Sequence, residues 1–87
     1  MNRIEEIINR IKEGEELSIA CSMYEIIIWY ENGIFKSTFE NGYQCILDEK
    51  TEKFVVKRIV EAFNEPEDYD LYIGDEDLLA SLKEQGD

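Results

Sequence analysis

Tyr24-Glu25-Ile26-Ile27-Ile28-Trp29-Tyr30, then Glu31-Asn32-Gly33, then Ile34-Phe35-Lys36-Ser37-Thr38-Phe39, then Glu40-Asn41-Gly42: on this stretch the fold turns. Its two apolar runs are dominated by β-branched and aromatic residues, which fit a pleated, half-buried surface. Asn32-Gly33 and Asn41-Gly42 are dipeptides that tolerate positive φ at both central positions of a type I′ turn, so each predicts a tight antiparallel return. Tyr43-Gln44-Cys45-Ile46-Leu47 supplies a further strand, and Leu17-Ser18-Ile19-Ala20-Cys21 alternates upstream. The expected centre is therefore an antiparallel meander of three or four strands. One face packs on a helix, and the other leaves Tyr24, Trp29 or Tyr30 partly exposed.

Working outward, Met1 to Gly14 places Ile4, Ile7, Ile8 and Ile11 at helical spacing with Glu5, Glu6, Arg10 and Lys12 on the other side. Asn2 is positioned to cap its first turn and Gly14 to stop it. A second helix is predicted from about Thr51 to Asn64, with Phe54, Val55, Ile59, Val60 and Phe63 apolar and Lys53, Lys57, Arg58 and Glu61 turned to water. Pro66 ends it, because proline disfavours helical backbone in the residue before it and donates no hydrogen bond. A last helix is expected after Gly74, with Asp75 as its cap, Glu76 and Asp77 at its positive end, and Leu78, Leu79 and Leu82 facing inward. The fold class is α+β in a single domain, residues 1–87: an N-terminal helix, the meander and two C-terminal helices.

Between the last two helices lies a different kind of sequence. Glu61 to Asp77 holds eight carboxylates, two tyrosines and no base, and Glu65 to Asp87 holds nine acids against Lys83 alone. Runs of like charge ordinarily repel into tails. Here Tyr69, Leu71, Tyr72 and Ile73 interrupt the run and can pin it to a core. A fixed array of carboxylates imitates nucleic-acid phosphates in front of a basic protein groove.

Composition sets the remaining bounds. A chain of 87 residues with 44% apolar content buries roughly 60 to 65% of the surface its unfolded form exposes, so few large side chains are spared for an internal pocket. Nine bases against 21 acids give 9 − 21 = −12. That charge argues against direct nucleic-acid or anionic-membrane binding and for a basic protein partner. No apolar run is long enough for a span and no signal-peptide pattern opens the chain, so a cytoplasmic location is expected. Cys21 and Cys45 are too few for a disulfide scaffold and read as reduced, buried thiols. The absence of histidine removes the usual catalytic and zinc constellations, and the five glycines are isolated. Asp68, Asp70 and Asp75 miss the calcium-loop spacing, since Gly74 falls one place late. Neither enzyme activity, metal nor cofactor is expected.

The order of elements is similar to a known family. Met1-Asn2 with its isoleucine stripe, the Gly42 turn, the run from Tyr43 to Ile59-Val60-Glu61-Ala62-Phe63-Asn64 and the acid-and-tyrosine stretch beyond resemble the small acidic anti-CRISPR proteins of phages and prophages that block the type II-A RNA-guided nuclease. The resemblance implies an α-β-β-β-α-α fold and a function as a DNA mimic. The inhibitor would occupy the basic cleft in which paired arginines read the PAM, on the effector nuclease loaded with guide RNA, in the cytoplasm of a bacterial host. It also implies contact residues: Asp68, Tyr69, Asp70, Asp75, Glu76 and Asp77 as the acidic surface, with Glu40, Asn41 and Gly42 as an inserted turn; Glu67, in the same acidic run, is expected to join the partner-binding surface. The alternative from charge alone is an acidic immunity or antitoxin protein that neutralises a basic toxin or nuclease without imitating DNA.

Overall fold

The structure, a computed structural model, describes residues 2–84; Met1, predicted as the first residue of the opening helix, and Asp87, counted in the acidic tail, lie outside them. Helix α1 (Arg3–Lys12) forms as its periodicity dictates, with the Asn2 Oδ1 accepting the Glu5 N–H at 2.8 Å and Ile7, Ile8 and Ile11 buried. Gly14 follows at φ 118°, a backbone that side chains with a Cβ rarely adopt. Then come β1 (Leu17–Ala20), β2 (Glu25–Glu31), β3 (Ile34–Glu40) and β4 (Cys45–Lys50), paired antiparallel in chain order. Asn32 (φ 54°) and Gly33 (φ 80°) are the two positive-φ residues a type I′ turn needs. The next turn is shifted by one residue from its expected form. Asn41 pairs with Gln44, so Gly42 and Tyr43 are the central residues and only Gly42 (φ 89°) is positive, as in a type II′ turn.

Helix α2 (Glu52–Asn64) starts where Thr51 Oγ1 accepts the Phe54 N–H at 3.1 Å, and it buries Val55, Ile59 and Ala62. Beyond it the expectation is corrected. The acidic segment folds as strands β5 (Asp70–Ile73) and β6 (Glu76–Asp77), before a short helix α3 (Ala80–Glu84). Asp70-Leu71-Tyr72-Ile73 alternates polar and apolar at a period of two, and burying Leu71 and Ile73 completely is what holds it. The sheet therefore has six strands rather than three or four, in the order β4-β3-β2-β1-β5-β6. Asp75 lies in the β5–β6 connection and caps no helix. The residue that turns the chain into α3 is Asp77, whose Oδ1 accepts the Leu79 N–H at 3.0 Å.

The strand register separates the two faces of this sheet. Leu17, Ile19, Ile26, Ile28, Phe35, Leu71 and Ile73 point to the core beside α1 and α2. The opposite, open face carries Ser18, Ile27, Trp29, Thr38 and Tyr72, half-buried or exposed. Among the described residues no helix is long and apolar enough to cross a membrane.

A candidate acidic docking site at one end of the sheet

Alternation along the strands also sorts the charge. Glu25, Glu31, Glu40, Glu49, Asp70 and Asp77 occupy open-face positions by register. Of the nine bases, Lys36 stands on an open-face strand position, and Lys83 reaches the edge of that face from α3. The others belong to the helices or, for Lys50, to the core-side row of β4.

One row crosses four strands at the same end of the sheet: Asp70 on β5, Ala20 on β1, Glu25 on β2 and Glu40 on β3. It spans roughly 14 Å at the usual strand spacing. Glu25 and Glu40 face each other directly, with Cβ atoms about 4.5–5.5 Å apart, an arrangement that destabilises a sheet when the charges are alike. No Lys or Arg among the described residues pairs with either of them, and the contact recorded for their carboxylates is the Ser18 hydroxyl, donating to Glu25 at 3.2 Å. Three loops rise around this row. The β1–β2 loop presents Met23, 77% exposed, and the β3–β4 turn presents Tyr43, 95% exposed. The α2–β5 loop brings Glu67 and Asp68. Ala20, Cys21 and Ser22 form the shared wall between two shallow hollows of about 480 and 330 Å³; Glu25 and Glu40 line the first, Glu67, Asp68 and Asp70 the second.

The residues expected to make contact thus divide into two groups. Glu40, Asn41, Gly42, Glu67, Asp68, Tyr69 and Asp70, distant in sequence, come to one end of the sheet. Asp75, Glu76 and Asp77 sit on the β5–β6 hairpin at the far edge. Several of these acids are already engaged. Asp70 pairs with Lys83 at 2.8 Å and Glu76 with Arg10 at 2.7 Å, while Asp77 accepts the Leu79 N–H in the turn before α3. Tyr69 is half-buried, and its phenol is pushed up to about 12 by its hydrogen bond with Tyr24 and then by burial. The Arg58 guanidinium lies over the Tyr24 ring and donates to the Tyr24 hydroxyl, fixing the base of the site to α2.

Glu25, Met23 and Tyr43 were not among the expected contacts. Their signal was present in the turns: a two-residue hairpin centred on Asn32-Gly33 pairs Glu31 with Ile34 and, six steps on, Glu25 with Glu40. The cysteines depart from expectation, since Cys21 is half-buried and Cys45 exposed. Three strand spacings, roughly 14 Å, separate their ends of the row, which is beyond the ~7 Å limit for disulfide-linked Cα atoms. No cluster of three or more metal-ligating acids or thiols occurs among the described residues.

Fold and site together define a small α+β protein whose polar investment is an acid-lined surface. The chain matches no protein-family model, no curated protein and no solved structure.

Proposed function

We propose that this chain is a non-enzymatic, cytoplasmic inhibitor that docks its acidic sheet end into the basic, nucleic-acid-binding cleft of a protein partner. The single observation that carries the reading is the Glu25–Glu40 pair. Two facing carboxylates with no cation cost the fold stability, and a local rule broken without internal compensation is characteristic of a functional surface. A lysine or arginine from a partner, placed between them, relieves the repulsion and gains two charge-assisted hydrogen bonds. Met23 and Tyr43 add apolar anchors at the rim, the residue types enriched in interface cores. The partner is proposed as a guide-loaded CRISPR effector nuclease on the resemblance to anti-CRISPR proteins, and there the acids would take the place of PAM-duplex phosphates.

The test is binding to a guide-loaded type II-A effector with PAM-containing duplex as competitor, across a series of salt concentrations. Competition by the duplex and a steep loss of affinity with salt are expected. Glu25→Lys/Glu40→Lys should abolish binding while the protein remains folded. An affinity indifferent to salt and unaffected by the double substitution overturns the reading. One observation favours the immunity-protein alternative: Lys83 and Arg10 neutralise part of the acidic run internally, which leaves fewer oxygens for a phosphate lattice. Binding to a basic nuclease without competition by DNA would select that alternative.

A further inference from the structure

The two edges of the sheet are managed differently. β6 is two residues long and runs directly into the turn before α3, so it offers little template. β4 is six residues long and exposed from Cys45 to Glu49. Its register with β3 is one-to-one from Cys45 to Lys50, without a bulge, and it contains no proline. Natural edges of this length are ordinarily blunted by charge, bulge or cover. Asp48, Glu49 and Lys50 blunt only the second half. The first half, Cys45 to Leu47, has no charge, and Ile46 (46% exposed) and Leu47 (67%) lie on opposite faces of it.

The backbone is equally specific. Asn41 N–H donates to the Gln44 carbonyl at 3.3 Å, which makes 41/44 a hydrogen-bonded pair. Hydrogen-bonded and non-hydrogen-bonded pairs alternate along an antiparallel ladder. Cys45, Leu47 and Glu49 therefore direct their N–H and C=O groups away from β3 at the two-residue spacing an added strand requires; the Glu49 N–H donates to Asp48 Oδ1 at 2.8 Å, so the donors offered are those of Cys45 and Leu47.

We infer that β4 is a docking edge that takes an extended segment of a basic protein as a seventh, antiparallel strand, with apolar side chains against Ile46 and Leu47 and lysine or arginine against Glu49, since Asp48 is already paired with Lys50 at 3.1 Å. Charge selects this occupant. A second copy would bring −12 against −12, whereas a basic strand places opposite charges across the new pair, the favourable arrangement. The basic character of the occupant rests on the reading under Proposed function; the edge itself rests on backbone and exposure alone.

The experiment uses the whole chain and a short synthetic peptide of alternating valine and lysine, followed by amide hydrogen exchange. The peptide is expected to slow exchange at Cys45 and Leu47 by about tenfold or more, because those amides become ladder donors. The same peptide N-methylated on alternate amides should lose the effect. Leu47→Pro should lose it too, since the substituted N–H serves no β3 bond. Equal protection by the N-methylated peptide, or by one with glutamate in place of lysine, overturns the inference. Protection of these amides in the protein alone, rising with its concentration alongside a dimer in sedimentation, overturns it in favour of a second copy. Peptide effects confined to Glu25 and Glu40 overturn the edge while leaving the basic-partner reading intact. Failure of that reading is registered separately, by the effector-binding assay with Glu25→Lys/Glu40→Lys.

Discussion

Glu40 shows how a single side chain can serve recognition at the expense of the fold. Facing Glu25 across β2 and β3, it repels its neighbour. Glu40→Lys converts the pair to an attractive one and should raise unfolding stability in urea by roughly 0.5–1 kcal/mol while weakening partner binding; a variant both less stable and fully active would remove the argument. Arg10 illustrates the opposite case. It grips both oxygens of Glu15, at 2.6 and 2.8 Å, and also reaches Glu76. The guanidinium holds the Glu15 carboxyl below the usual carboxylate range. A depressed carboxyl pKa stabilises the folded state above the unfolded value, and that stabilisation disappears as pH falls through the lowered one. In Arg10→Met, Glu15 should titrate in the ordinary range by carbon NMR, and the stability gap to the parent should close on acidification below about pH 4. A gap constant with pH would mean that Arg10 acts by packing.

At the scale of elements, the acidic hairpin is held by alternation and by one turn hydrogen bond. Leu71 and Ile73 anchor β5 to β1, and Asp77 receives the Leu79 N–H that opens the path into α3. Asp77→Lys removes that acceptor and should destabilise the protein by about 1 kcal/mol, visible as a lowered urea midpoint, so this acid is a poor choice for a charge reversal meant to leave folding intact. Asp68→Lys changes a carboxylate with no ion-pair partner among the described residues, and should leave the midpoint within about 0.5 kcal/mol. The first hairpin is equally sensitive to its backbone. Gly33 at φ 80° should lose about 1–2 kcal/mol on substitution by alanine, measured in the same denaturation.

Across the whole molecule, salt should move stability and binding in opposite directions. With a net charge of −12 the folded chain repels itself, and screening at a length near 8 Å at physiological ionic strength weakens that repulsion. Added salt should therefore raise the melting temperature while reducing affinity for the basic partner. A melting temperature that falls with salt would show that the ion pairs outweigh the repulsion. Much of this molecule was legible in one dimension. The isoleucine spacing of α1, the Asn32-Gly33 turn, the cap at Asn2 and the net charge are local properties, set within a few residues or by composition. The α+β class followed from them. Which acids share a surface was decided by strand order, because β5 crosses to the far side of β1 and thereby puts Asp70, Glu67 and Asp68 at the same end as Glu25 and Glu40. Whether a carboxylate is free or already held by Lys83 or Arg10 was decided in the same way: those contacts join residues 13 and 66 positions apart, and only packing of the assembled core, which no local pattern encodes, brings them within reach.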